Sequence, residues 1–99
     1  MTSVSEGRNI ITVDIVNMEV DSLRPLQIGN GITFMRNEAQ MSQEGLAERL
    51  GIPRYQLSYY ENGRAIANWE TVKAMADVLI CTMGDIYRPA LLEIIKQAS

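Results

Sequence analysis

Apolar residues recur every three or four positions along two short segments between Ser42 and Arg64. They are Leu46, Ala47 and Leu50 in the first segment and Leu57 and Tyr60 in the second. This spacing places the apolar side chains of each segment on one face of an α-helix. Gly51 lies between the segments and can adopt the positive φ that ends a helix. The pattern therefore predicts a helix from about Gln43 to Leu50, a tight turn and a second helix.

The outer face of the second helix is polar and aromatic. Its side chains are Arg54, Tyr55, Ser58 and Tyr59. A helix, a tight turn and a second helix with a polar outer face is the layout of a helix-turn-helix. The second helix of such a motif can lie in the DNA major groove, so these side chains are candidates for base-edge contacts. Asn62 is a further candidate at the helix end, where Asn62-Gly63 predicts a left-handed turn, and Arg64 follows where a phosphate would pass. The free amide groups at the start of the first helix, beside Gln43, also favour a phosphate.

An earlier helix is predicted from about Leu26 to Gln40. Its inward stripe has steps of four, three and four residues and consists of Ile28, Ile32, Met35 and Ala39. Residues 21–25 are expected to be a linker, because the residue before a proline disfavours helix. Gly29 and Gly31 weaken the first turn of this helix by about 1 kcal/mol each relative to alanine.

Two more helices are predicted after the helix-turn-helix. One runs from about Trp69 to Leu79 behind an Asn68 cap, and Trp69 is expected to cover the core. Its inward stripe is Val72, Met75, Ala76 and Leu79. The other opens at Thr82, where Asp85 follows three positions later, as in a capping box.

The last part of the chain contains a proline and an apolar cluster. Pro89 is expected to disrupt a helix that runs through it and to start a new helical turn before residues 90–97. The cluster consists of Leu91, Leu92, Ile94 and Ile95. Either these side chains cover the base of the domain or they pair with a second chain.

The first 25 residues have a different pattern and are assigned to an N-terminal arm, with the helical domain spanning residues 26–99. Apolar β-branched residues alternate with polar ones along residues 9–20, and the alternation changes phase at Ile15-Val16. A period of two predicts a β-strand with a bulge at the phase change. A lone strand leaves its backbone groups without partners. Ile10 to Val20 is therefore expected either to fold onto its own domain or to pair with a second copy or another protein.

Five short motifs follow one another at fixed spacing: Ser42-Gln43, Leu46-Ala47, Leu50-Gly51, Leu57-Ser58 and Glu61-Asn62-Gly63-Arg64. Together they resemble the lambda-repressor-like helix-turn-helix family, often called Xre or Cro type, and the resemblance extends from about Ile28 to Tyr87. It implies an all-α, five-helix DNA-binding domain, here preceded by a β-strand arm. It also implies an ion pair between Arg36 and Glu61, and a contact of Gln43 with either a phosphate or a recognition-helix side chain. Ile80 departs from the family, which usually has glycine at that position.

Composition excludes several kinds of chemistry. The chain has no histidine and one cysteine, Cys81, which excludes zinc sites and Ser-His or Cys-His catalysis. Gly29 and Gly31 are not followed by the rest of a phosphate-binding loop. We therefore expect no enzyme activity, no cofactor and no metal ion. The single cysteine, the lack of a long apolar run and the lack of a signal-like amino terminus indicate a cytoplasmic protein without a membrane span.

The net charge of −3 is unusual for a DNA-binding protein, because phosphate contacts normally require a basic surface. Residues 1–25 hold two basic and four acidic groups, whereas residues 26–88 hold six basic and seven acidic groups. The helical region is thus nearly neutral. The distribution of charge matters more than the total, because only one face meets DNA.

These observations predict a sequence-specific DNA-binding transcriptional regulator, in particular a dimeric repressor of a palindromic operator. A homodimer is expected because one recognition helix reads only a few base pairs. Its candidate contacts are Ile10 to Val20 and Leu91 to Ile95. Two alternatives stay open: an antitoxin-type autorepressor whose arm binds a partner protein, and a protein-interaction module that has lost DNA binding. The acidic total and the exposed tyrosines favour the latter, because tyrosine is enriched in interfaces.

Overall fold

The computed structural model describes residues 23–98, which contain five α-helices and, in that range, no strand. The helices are α1 (Pro25–Glu38), α2 (Gln43–Leu50), α3 (Arg54–Glu61), α4 (Trp69–Leu79) and α5 (Met83–Ala98). The predicted all-α, five-helix architecture is confirmed. The strand expected along residues 9–20 lies outside the described residues. Among the five helices, none has both the length and the apolar character needed to cross a lipid bilayer.

The five helices share one core. Helix α1 packs against α3, α4 and α5, while α2 packs against α3 and α4. In the described part of the chain, seven large side chains are completely buried, and every helix contributes at least one: Ile28, Ile32, Leu46, Leu57, Val72, Met75 and Ile86. The inward stripe predicted for α4 is buried throughout, as its period of three and four requires. The core therefore holds α2 and α3 against a three-helix base of α1, α4 and α5.

The glycines of α1 allow close contact between helix backbones. A Cβ atom at Gly29 would overlap the backbone carbonyl oxygens of Tyr60 and Glu61 at the end of α3. One at Gly31 would overlap the carbonyl oxygen of Ile86 in α5. The sequence indicates only that these glycines weaken α1. Their absent side chains let α1 approach both neighbours, and this packing outweighs the loss of helix propensity.

Helix α1 begins earlier and ends earlier than predicted. Pro25 starts the helix and does not belong to the linker, because the N–H that proline lacks would have no partner in the first turn. The other end is Glu38, because Gln40 adopts a left-handed φ of 55°. The N–H of Met41 then donates to the carbonyl of Arg36 at 3.0 Å. Ala39 is exposed beyond the helix, so its predicted place in the inward stripe is wrong.

The prediction that Pro89 disrupts the last helix is also wrong, because α5 is one helix of 16 residues that contains Pro89 in its interior. Proline removes one helical hydrogen bond and crowds the preceding turn. Pro89 lies beside Gly31 of α1, and the neighbouring residues Ile86 and Ala90 are buried against the core. We attribute the continuity of α5 to this packing.

The apolar C-terminal cluster is only partly buried against the domain. Leu91 and Ile94 are half-buried and pack against the core, whereas Leu92 and Ile95 are about half exposed. Trp69 is 55% exposed and does not cover the core as expected. It occupies the first position of α4, at the edge of the inward stripe, so its ring extends into solvent.

The α4–α5 turn (residues 80–85) combines one unfavourable and one favourable feature. Ile80 has a φ of 56° and is 91% exposed, in the position where the resemblance predicted glycine. Thr82 and Asp85 then form the predicted reciprocal cap. The Thr82 N–H donates to the Asp85 carboxylate and the Asp85 N–H donates to the Thr82 hydroxyl, both at 3.0 Å. These hydrogen bonds, with the nearby charge of Arg88, hold the pKa of Asp85 below its ordinary value.

Candidate nucleic-acid interface

The helix-turn-helix is built by local capping. The Ser42 hydroxyl accepts the N–H of Gly45 at 2.9 Å and starts α2. Because residue 45 is glycine, no carboxylate returns a bond to the cap. Gly51 ends α2 with a φ of 73°, and the N–H of Ile52 donates to the carbonyl of Ala47 at 3.0 Å. The predicted helix, tight turn and helix are confirmed.

Helix α3 presents an aromatic pair to solvent. Tyr55 and Tyr59 are 63% and 45% exposed, while Leu57 on the opposite face is completely buried. The two tyrosine rings meet edge to face, with centroids 5.8 Å apart and an interplanar angle of 73°. In this geometry the positive edge of one ring faces the negative face of the other, and this attraction stabilises the orientation of both tyrosines. Arg54 is exposed and Ser58 is half-buried on the same side of the helix.

The end of α3 gathers four of the predicted site residues around a shallow depression of about 520 Å³. Its lining residues are Ser58, Tyr59, Asn62 and Arg64. The Asn62 amide donates to the Ser58 carbonyl at 2.9 Å and to its hydroxyl at 3.2 Å. The backbone N–H of Arg64 donates to the Tyr59 carbonyl at 2.8 Å, after a left-handed Gly63 with a φ of 75°. The chain therefore returns past the helix end and leaves Arg64 exposed beside the depression.

Beneath α3 lies the α1–α3 junction, defined as Gly29, Thr33, Arg36, Gln43 and Glu61. Its centre is the Glu61 side chain, which is 4% exposed. Arg36 donates to both carboxylate oxygens, from Nε at 2.7 Å and from a terminal nitrogen at 3.1 Å. This two-point geometry is the strong form of an arginine–carboxylate pair. The ion pair implied by the resemblance is therefore present in the structure.

Two neutral side chains complete the contacts of Glu61. The Thr33 hydroxyl donates at 2.9 Å and the Gln43 amide at 3.0 Å, both to Oε1. The remaining terminal nitrogen of Arg36 donates to the Met41 carbonyl at 2.8 Å, which also fixes the chain leading into α2. Helices α1, α2 and α3 thus meet at one buried carboxylate with four donated hydrogen bonds.

Gln43 also reaches the recognition helix. Its Oε1 accepts a hydrogen bond from Nε of Arg54 at 3.3 Å. Of the two contacts that the resemblance implied for Gln43, the structure contains the one with a recognition-helix side chain. Arg54 is thereby linked through Gln43 to the buried Glu61.

Sequence reasoning missed two residues that support this surface. Thr33 lies one turn before Arg36, a spacing that places both on one face of α1. Gln56 donates to the Tyr60 hydroxyl at 2.8 Å, and their spacing of four residues was an available signal. Neither residue belongs to an apolar stripe, so the hydrophobic pattern does not reveal them.

The charge of this surface differs from that of the whole chain. We define the recognition face as the seven predicted site residues: Gln43, Arg54, Tyr55, Ser58, Tyr59, Asn62 and Arg64. It carries two arginines and no acidic group, because Glu61 is buried and paired with Arg36. Glu44 lies next to Gln43 in the first turn of α2. Within the described part of the chain, no group of acidic, cysteine or histidine side chains is placed to hold a metal ion.

Comparison with known families identifies this architecture. A family model described as a helix-turn-helix domain matches residues 32–84, which is more than half of the chain. The chain belongs to the helix-turn-helix domain family. The lambda-repressor-like resemblance noted in the sequence is thereby confirmed. Membership of this family supports DNA binding and transcriptional regulation as the class of function, and a binding role in place of a catalytic one.

A solved structure with the same fold is that of the clp gene regulator ClgR from Corynebacterium glutamicum. It superimposes with a TM-score of 0.68 and 22% sequence identity, over 77% of this chain and 81% of the ClgR chain. At this identity the likeness shows a shared fold. No curated protein sequence matches the chain significantly.

Proposed function

We propose that this helix-turn-helix protein is a sequence-specific, DNA-binding transcriptional regulator that uses α3 as its recognition helix. The observation that carries the proposal is the contrast between the two sides of α3. Its inner side is held by buried Leu57 and Glu61, while its outer side exposes Arg54, Tyr55 and Tyr59. A rigidly mounted helix with a polar and aromatic outer face suits insertion into the major groove.

The residues of the recognition face divide into two roles in this proposal. Arg54, near the start of α3, contacts guanine, to which arginine can donate two hydrogen bonds. Tyr55 and Tyr59 pack on thymine methyl groups or bond to phosphates. Asn62 and Arg64, at the end of α3, lie where the DNA backbone passes, and the exposed amides at the start of α2 meet a second phosphate.

In finer detail, we propose a cytoplasmic homodimer that represses from a palindromic operator. A single α3 reads only a few base pairs, so two copies are needed for a specific site. The alternating pattern of Ile10 to Val20 suits a strand that pairs with its copy, and the exposed Leu92 and Ile95 offer apolar surface that this ribbon could cover. Regulation would then come from protein concentration or from a protein partner.

An antitoxin-type autorepressor, whose arm holds a partner protein, is a form of this proposal that keeps DNA binding. The competing function is protein binding without DNA binding. The net charge of −3 and the exposed tyrosine pair favour such a role. The positive charge of the recognition face favours DNA. We weigh the DNA-binding role above its competitor on that ground.

Electrophoretic mobility of a genomic fragment carrying the gene's own promoter tests DNA binding directly. We expect Arg54→Ala to weaken specific binding by about 1–3 kcal/mol and to relax the preference at one base position. Arg64→Ala should weaken binding to all sequences and reduce the salt slope by about one. Lys73→Ala is the matched control, because Lys73 is an exposed cation on α4 that pairs with Asp77. No retardation at low salt, on either the promoter or DNA selected from random sequences, would contradict the proposal.

Deletion of residues 1–20 tests the dimer. The truncated chain should remain helical, sediment as a monomer and bind DNA far more weakly than the full chain. A truncated chain that still sediments as a dimer and binds DNA equally well would overturn the role of the strand.

A further inference from the structure

We infer that residues 16–20 of the N-terminal arm dock on an apolar patch of their own domain. We define the loop patch as Leu26 on α1, Ile66 in the α3–α4 loop and Trp69 at the start of α4. The inference goes beyond DNA binding, because it concerns how the arm is held on the domain. It also gives the proposed dimer strand the supporting surface that a two-stranded ribbon needs.

The loop patch is exposed apolar surface that lies outside the recognition face. Its three side chains are between 43% and 58% exposed. A Cβ atom at Gly63 would lie 2.7 Å from the Cα of Leu26, so the start of α1 contacts the loop that carries Ile66 three residues later. Trp69 follows after three further residues. Large apolar side chains exposed in one region mark a surface that another segment or protein covers.

The arm joins the domain beside this patch. The described residues begin at Leu23, which is buried in the core, and Arg24 pairs with Glu93 of α5 at 2.8 Å. The attachment point is therefore fixed, and Leu26 follows it by three residues. Val20 precedes Leu23 by three residues, so an extended chain keeps it within about 11 Å of Leu23. The last part of the arm can thus reach the loop patch without a linker.

The residue pattern of this part of the arm fits such a surface. Val16, Met18 and Val20 alternate with Asn17 and Glu19. In an extended chain the three apolar side chains point to one side and the two polar ones to the other. The apolar side can then cover the loop patch while the polar side faces water. This docking removes both apolar surfaces from water, which is favourable.

The short tether favours the chain's own arm over the arm of a second copy. A tethered segment reaches its site at an effective concentration of roughly millimolar when the linker is short. A second copy supplies its arm only at the concentration of the protein. Docking of residues 16–20 on their own domain leaves residues 10–15 to pair with the second copy in the proposed dimer.

Fluorescence of Trp69 tests the docking, because Trp69 is the only tryptophan in the chain. Met18→Ser/Val20→Ser in the full chain should release the arm, shift the emission to longer wavelength and raise the acrylamide quenching constant. With Trp69 55% exposed, that constant should reach about half the value of a fully exposed tryptophan. Asn17→Ser/Glu19→Ser is the matched control and should stay at the lower value of wild type. Equal quenching in all three proteins would overturn the inference.

NMR of the wild-type protein locates the docking surface. We expect nuclear Overhauser effects between the Trp69 indole and the methyl groups of Val16, Met18 or Val20. Ile66→Ser should weaken them. Leu92→Ser is the matched control, because Leu92 is an equally large side chain that is 50% exposed on α5. Contacts of these methyl groups with α5 and none with Trp69 would overturn the choice of surface.

Mixing isotope-labelled and unlabelled chains separates the chain's own arm from that of a partner. Indole–methyl contacts within one chain support the inference, whereas contacts found only between chains would overturn it. None of these readouts uses DNA, so they can succeed even if the proposed function fails. Conversely, a protein that binds its promoter while wild-type Trp69 is as easily quenched as in Met18→Ser/Val20→Ser would overturn this inference alone.

Discussion

The α1–α3 junction and the α4–α5 turn both join helices, yet they are built in opposite ways. At the junction, the Glu61 carboxylate receives four hydrogen bonds and a glycine brings two backbones into contact. At the turn, Ile80 adopts a left-handed conformation that is unfavourable for a branched side chain and stands 91% exposed. The junction is closely packed and fully hydrogen-bonded at Glu61, whereas the turn contains a strained backbone conformation at Ile80.

The difference follows the position of the recognition face. The junction lies directly beneath α3 and supports it through Glu61 and Gln43. A substitution that breaks these contacts would therefore change the orientation of the helix or loosen its packing. The turn joins α4 to α5 and contains none of the seven recognition-face residues. We therefore expect substitutions at the junction to destabilise the protein strongly, and some substitutions at the turn to stabilise it.

The largest effect is expected from breaking the Arg36–Glu61 pair. Arg36→Met or Glu61→Leu alone should cost about 3–5 kcal/mol in unfolding free energy, because each leaves a buried charge without its partner. The double variant should recover much of this loss, although Gln43 and Thr33 then lack their acceptor. Chemical denaturation of the four proteins gives the coupling energy. Additive single losses would contradict a shared junction.

Gly29→Ala tests the backbone contact at the same junction. The added methyl group would overlap the carbonyl oxygens of Tyr60 and Glu61, which are backbone atoms that cannot rotate away. We expect a loss of about 3 kcal/mol, the upper end for overpacking, despite the better helix propensity of alanine.

The matched control for this variant is Gly84→Ala in the α4–α5 turn, where the nearest atom to an added Cβ is the Thr82 hydroxyl oxygen at 3.6 Å. It should stabilise the protein by about 0.5–1 kcal/mol. Thermal unfolding of both variants measures the contrast. Equal shifts in the same direction would remove the distinction between the two regions.

Ile80→Gly should stabilise the turn. A left-handed conformation costs an L-residue about 1–2 kcal/mol, and glycine avoids this cost while losing more backbone entropy on folding. We expect a net gain of about 0.5–1 kcal/mol in unfolding free energy. Ile80→Ala is the control, because alanine removes the exposed apolar group but keeps the Cβ atom that causes the strain. A loss of stability in Ile80→Gly would show that the isoleucine side chain makes a stabilising contact.

The features that could be predicted from the sequence are those set by neighbouring residues. Caps at Ser42, Asn68 and Thr82 mark helix starts because each bonds a backbone N–H three residues away. The outward positions of α3 follow from its period, so the exposed and buried sides were predictable. The resemblance supplied the Arg36–Glu61 pair, which no local pattern could indicate.

The features that could not be predicted depend on what packs against a residue. Gly29 reads as a weak helix position until α3 is placed against it, and Pro89 reads as a break until α1 is placed beside it. The bond from Gln43 to Arg54 joins two helices through side chains that must each find one of several rotamers. Trp69 was misjudged because a large apolar side chain at the edge of a stripe can still be half exposed.

The smallest expected effect concerns the reciprocal cap of the α4–α5 turn. The Asp85 carboxylate accepts the Thr82 N–H at 3.0 Å, and its pKa is held below the ordinary value of 3.8. Folding therefore favours the ionised form of the Asp85 carboxylate. Its contribution to stability is present above the ordinary pKa and is lost as the pH falls through the lowered pKa.

Asp85→Asn should lose less stability than wild type between neutral pH and strongly acidic pH, because the amide does not titrate. Melting temperatures across this range provide the measurement, with Asp77→Asn as the control, since Asp77 is an exposed aspartate whose partner is Lys73 at 3.7 Å. If the pH profile of Asp85→Asn parallels that of wild type while Asp77→Asn departs from it, the cap does not carry the acid sensitivity of this turn.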